Sequence, residues 1–161
     1  NLGKVYRLKG DLNLAVKYFQ ESLHRSQGVA ETWICFGHAL RDIQKPDQAI
    51  WAYQNALRLS PVDEELNFSY ASLLIQYGDI QAAKKVLLDF NKEFPDNIKC
   101  LFQLGNLYFD IGNFKEAARL FRAIIALDSS HIDARFSLIK SRFKSVCFSS
   151  SSVSCFVLCE W

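Results

Sequence analysis

The sequence has no methionine, and only three prolines and seven glycines among its 161 residues. So little proline and glycine excludes a collagen-like or low-complexity chain. No run of 18 apolar residues is present, which excludes a membrane-spanning helix. Charge of one sign is lacking too. Against 19 basic residues stand 17 acidic ones, and a net +2 gives neither nucleic acid nor a membrane a surface to bind. Phosphate-binding glycine loops, H-E-x-x-H and G-x-S-x-G are absent, so no cofactor is expected. The histidines, His24, His38 and His131, lie far apart with no repeated acidic or nucleophilic partner, and no enzyme activity is expected. Five cysteines include no C-x-x-C and no neighbouring histidine, which argues against metal. Their odd, unpatterned count fits a reducing compartment, and a cytoplasmic location is expected. With Asn1 first and methionine absent, the chain reads as a fragment or a trimmed product.

What is present is a period. Gly3, Gly37 and Gly105 lie at multiples of 34 residues, with Ala71 at the missing step. Gly10, Gly78 and Gly112 repeat at the same interval, with Gln44 at theirs. Ala15, Ala49, Ala83 and Ala117 are 34 apart without a gap, as are Pro61 and Pro95. A fixed period of this size means stacked supersecondary units. Within it the apolar spacing is helical: Trp33, Phe36, Gly37 and Leu40, then Ala49, Ala52, Tyr53, Ala56 and Leu57. Breaks fall at Gly10-Asp11, Gly78-Asp79 and Gly112-Asn113, where glycine ends one helix and Asp or Asn starts the next. Pro46 suits the first turn of a helix, where a missing N–H costs nothing. Each unit is therefore two antiparallel helices. The small residue of the first helix, Gly37 or Ala71, is expected to face Ala49 or Ala83 of the second, with Tyr53, Leu87 and Phe121 filling the gaps between pairs.

A unit reading W-x-x-F-G-x-x-L, then Ala, an aromatic four residues later, then Pro resembles the tetratricopeptide repeat. Trp33, Phe36, Gly37, Leu40, Ala49, Tyr53, Ala56 and Pro61 carry that signature in the second unit. The fourth carries it through Leu101, Leu104, Gly105, Tyr108, Gly112, Ala117 and Phe121. In the third, Asn67 stands where an aromatic is expected. The resemblance implies an all-α fold, an α-solenoid of about four and a half 34-residue repeats, over 1–144. Its units are 1–29 (partial), 30–63, 64–97, 98–131 and 132–144, the last being the first helix of a fifth repeat. Beyond Lys144 the pattern stops. Residues 145–161 form an atypical Ser/Cys-rich tail, expected to be poorly ordered, and read either as a reading-frame or splicing accident or as a divergent cap.

Function has to rest on the surface of the first helices, which repeat arrays use for binding. One series there is Ile34, Phe68, Phe102 and Phe136; one turn on lie His38, Ser72, Asn106 and Lys140, and then Arg41, Ile75 and Phe109. Read as a site, these residues form an apolar ladder flanked by polar groups, suited to a peptide or helix of a partner protein. Read as structure, the aromatics pack between neighbouring helices. The inward series Cys35, Ser69, Gln103 and Ser137 lacks the Lys and Asn with which some tetratricopeptide domains grip a C-terminal carboxylate. The expected role is a protein–protein interaction scaffold, binding neither nucleic acid nor membrane, with weak self-association through the exposed array ends. The alternative is a targeting arm of a larger enzyme of sulfotransferase or glycosyltransferase type. Residues Ala134 to Phe143 resemble the last helix before the catalytic domain in tetratricopeptide–sulfotransferase fusions.

Overall fold

The computed structural model describes residues 2–149, and every element among them is an α-helix. In chain order these are α1 (Leu2–Leu8), α2 (Leu12–Arg25), α3 (Ala30–Asp42), α4 (Pro46–Leu59), α5 (Glu64–Gln76), α6 (Ile80–Glu93), α7 (Ile98–Asp110), α8 (Phe114–Leu127) and α9 (Ile132–Ser149). The chain divides into two compact units, one ending at Glu93 and one beginning at Phe94. The first holds three helix hairpins, α1/α2, α3/α4 and α5/α6. The second holds the hairpin α7/α8, with α9 packed on α8.

Each hairpin turns by the same backbone device. Gly10, Gly78 and Gly112 take φ of +83°, +83° and +79°, and Gln44 takes φ 60° in the corresponding place. At each, the next amide donates to a carbonyl five residues back: Asp11 to Tyr6, Lys45 to Leu40, Asp79 to Leu74 and Asn113 to Tyr108, all at 2.8–2.9 Å. This is the Schellman closure, which satisfies carbonyls left over at a helix end. In three of the four turns the residue after the glycine then caps the second helix: Asp11 accepts from Leu14 N, Asp79 from Ala82 N and Asn113 from Glu116 N. At α4 the cap position holds Lys45, which has no side-chain acceptor, and Pro46 in the first turn instead removes one of the unpaired N–H groups.

Packing within a hairpin differs from the small-on-small contact read from the sequence. Gly37 lies under the ring of Tyr53, where an added Cβ would come within 2.5 Å of Cε1. Gly105 lies likewise under Phe121, and Gly3 under Phe19. The first helix supplies the hollow and the large residue of its own second helix fills it. Those three rings are fully buried, as are Ala15, Ala49, Ala83 and Ala117.

Asn67, the apparent break in the aromatic pattern, keeps the chemistry of the residue it replaces. Trp33 donates its indole N–H to the Gln27 carbonyl at 2.8 Å. Asn67 donates Nδ2 to the Pro61 carbonyl at 2.9 Å, again six residues back, and to Asp63 O at 2.8 Å. Both side chains tie a buried first helix to the loop before it.

The last helix continues through Lys144 to Ser149. Position 146, where the earlier units turn on a left-handed residue, holds Val146, whose branched Cβ disfavours that conformation. Residues 150–161, the remainder of the expected tail, lie outside the described residues. At the start of α9 the cap is His131, whose Nδ1 accepts from Ala134 N at 3.2 Å.

Candidate functional site

In the first unit, the first helices α1, α3 and α5 line a cleft of about 660 Å³, bounded by Lys4, Arg7, Ile34, His38, Asp63 and Glu65 among others. Its wall is built by helix periodicity: Ile34 and His38 are one turn apart on α3 and both are buried. His38 is only 7% exposed, and its Nε2 has no hydrogen-bond partner. Its ring meets Tyr53 edge-on at 5.6 Å, and the buried Tyr53 hydroxyl is also unpartnered.

Burial pushes the His38 pKa down, and the nearby Arg7 and Arg41 guanidiniums add to that, so the imidazole is neutral near pH 7. Burial likewise pushes the Tyr53 phenol up to about 12. Around them the charges are mostly paired. Arg7 Nε donates to Asp42 Oδ2 at 2.9 Å, Arg41 reaches Asp42 Oδ1 at 3.2 Å, and Lys4 pairs with Glu31. Asp63 accepts from Leu66 N at 2.8 Å and so caps α5. Glu65 is exposed at the cleft edge.

Of the other expected groove residues in this unit, Phe68 is buried and meets Phe90 edge-on at 5.4 Å, while Ser72 and Ile75 are exposed. In the second unit, Phe102 is half-buried, packing on Phe121 at 5.8 Å and on His131 at 5.4 Å. Phe109 packs on Phe114 at 5.2 Å, and Asn106 is half-buried. Phe136 is exposed, with the Lys140 ammonium 4.5 Å above its ring. The structure thus brings Ile34 and His38 to one cleft and Phe136 and Lys140 into one contact. Lys4, Arg7, Asp63 and Glu65 were not expected at the groove, because no periodic signal marks a residue contributed once. Among the described residues no cluster of His, Cys, Asp or Glu is arranged to hold a metal, and no helix is long and apolar enough to cross a membrane.

Hairpins closed by left-handed turns, each with a ring seated over a small residue, define an all-α solenoid of helix pairs. A family model described as the cytochrome c-type biogenesis protein H TPR domain matches residues 7–131. The chain belongs to that tetratricopeptide-repeat family. A TPR repeat-containing protein of Schizosaccharomyces pombe is 30% identical over 129 residues, which are 79% of this chain and 16% of that protein. The chain therefore spans about a sixth of that relative's length. Among solved structures, the crystal structure of MamA superposes with a TM-score of 0.77 at 22% identity, covering 88% of this chain and 82% of that one. The structure of YrrB, described as a TPR protein with an unusual peptide-binding site, superposes with a TM-score of 0.69 at 21% identity, covering 84% and 70%.

Proposed function

We propose that the chain is a protein–protein interaction scaffold that takes a peptide or helix of a partner on the surface of its first helices. One stretch is the cleft of the first unit, with Ile34 and His38 on α3, together with Arg41 of α3 and the exposed Ser72 and Ile75 of α5, while Phe68 is buried against Phe90. A second stretch is offered by Phe102, Asn106 and Phe109 on α7, with Phe136 and Lys140 on α9. The observation that carries the reading is the cleft itself, walled by Ile34 and His38 and edged by the charged Lys4, Arg7 and Glu65. The peptide-binding site named for YrrB is in keeping with this role. Binding, not catalysis, is the role we assign.

A peptide array probed with the full chain supplies ligands, which are then titrated by fluorescence anisotropy. Glu65→Lys at the cleft edge and Ile75→Asp on the exposed surface are expected to weaken binding about tenfold each with the fold intact. Unchanged affinity in both variants would overturn the reading.

A further inference from the structure

A longer apolar surface runs along α9, of which the proposed site above takes only Phe136. Ile132, Phe136, Ile139, Phe143 and Val146 recur at spacings of four and three, forming one stripe, and each is between 42% and 77% exposed. The opposite face is used: Ala134 and Ser141 are fully buried, and α9 packs on α8. The chain itself shows what such a stripe takes. The corresponding positions of α7 are Phe102, Gly105 and Phe109, and all three are covered by α8, through Phe121 and Phe114. No described helix does this for α9.

The surroundings are cationic. Helix α9 carries Arg135, Lys140, Arg142 and Lys144 against one acid, Asp133. Val146, at the end of the stripe, also lines a cleft of about 410 Å³ between α8 and α9 that is edged by Lys115, Arg122 and Arg142, with no acid among its described lining residues. None of those three cations meets a carboxylate among the described residues.

We propose that this face docks an amphipathic helix of a partner protein, with an apolar stripe toward α9 and acidic flanks toward Lys115, Arg122 and Arg142. Size sets a further condition. Where α7 has Gly105 beneath an aromatic ring, α9 has Ile139, so the incoming helix presents a small residue there. A second copy fits poorly through the same face, because its own α9 is equally basic. The chain's own residues 150–161 bring a single acid, Glu160. This face extends the second stretch of the proposed site through Phe136 and takes no residue from the cleft of the first unit, so the α9 variants test it apart from Glu65→Lys.

The test uses the full chain and a synthetic amphipathic helix of about five turns with Glu flanks and a central Ala, labelled and titrated by anisotropy. A matched peptide with Lys in place of Glu is the comparison. The acidic peptide is expected to bind at least about tenfold more tightly, with affinity falling as salt rises. Ile139→Asp and, separately, Arg142→Glu are expected to weaken it about tenfold while circular dichroism and melting stay unchanged, since both positions are exposed. Equal affinity for the two peptides, or insensitivity to both variants, overturns the proposal. So does a gain in affinity of about tenfold on Leu158→Asp, which would assign the face to the chain's own terminus. Sedimentation showing self-association that Ile139→Asp abolishes would overturn it in favour of a second copy.

Discussion

Helices α7 and α9 occupy the same place in successive repeats, yet one is closed and the other open. Phe102, Gly105 and Phe109 of α7 lie under α8, whereas Phe136, Ile139 and Phe143 of α9 face solvent. The two helices differ in how they end. After α7, Gly112 takes the left-handed conformation and sends the chain back as α8. At the equivalent point in α9, Val146 keeps the helix going. A first helix thus has its apolar stripe whether or not it has its cover, and the turn residue decides which.

The comparison is broken most severely by removing the cover. Phe121→Ala empties a fully buried ring site and is expected to cost about 3–5 kcal/mol, read as a lower thermal midpoint. Gly105→Leu places atoms where the Phe121 ring already sits, 2.6 Å from a Cβ, and is expected to cost about 1–3 kcal/mol. If either variant melts like the parent, the hollow-and-ring account of the hairpin fails.

The next effect belongs to the closed first unit and depends on pH. His38 is held neutral by burial, by Arg7 and by Arg41, against the opposing Asp42 and Glu65. Its folded pKa lies below the ordinary 6.5, so the unfolded chain binds the proton first. Stability is therefore expected to be full above about pH 7 and to fall as the pH drops through and below 6.5. Denaturant midpoints across pH 8 to 5 in the parent and in His38→Gln check this (both pH limits chosen roughly to bracket the ordinary imidazole value). A part of the parent's acid-side slope should vanish in the variant.

Smaller still is Gln44→Gly. Gln44 is the one non-glycine residue in the left-handed turn series, and relieving it is expected to stabilise the α3/α4 hairpin by about 0.5–1 kcal/mol. A lower melting temperature would show that the Gln44 side chain matters more than its backbone. The smallest change is expected at Phe136→Ala on the open helix. As an exposed ring beneath the Lys140 ammonium, it should alter stability by no more than about 0.5 kcal/mol, against the several for Phe121. Measured side by side, the two substitutions quantify what a second helix contributes.

Much of the fold was legible because its period is written in residue size and in turn chemistry. Glycine recurs where the backbone must turn left-handed or lie beneath a ring, and alanine where two helices pack. The site was harder to read because exposure is not a property of one position. Ile34, Phe68, Phe102 and Phe136 share a slot in the repeat, yet Phe68 is covered by Phe90 and Phe102 by Phe121 and His131, whereas Phe136 stays exposed beneath the Lys140 ammonium. Covering groups come from other helices, and periodicity carries no record of them. Asn67 escaped for a different reason: it preserves the N–H of Trp33 while losing its shape, and pattern matching weighs shape.

The seating of each ring over its own hairpin's glycine also bears on how quickly the chain organises itself. Gly3 and Phe19, Gly37 and Tyr53, and Gly105 and Phe121 are each sixteen residues apart. Contacts closed over so short a stretch demand little loop entropy, and their cost rises only slowly with length. Chains dominated by such near-neighbour contacts fold in roughly microseconds to milliseconds. Each hairpin can find its own geometry before its neighbours have found theirs, so a lesion in one should slow that hairpin and leave the nucleation of the others intact.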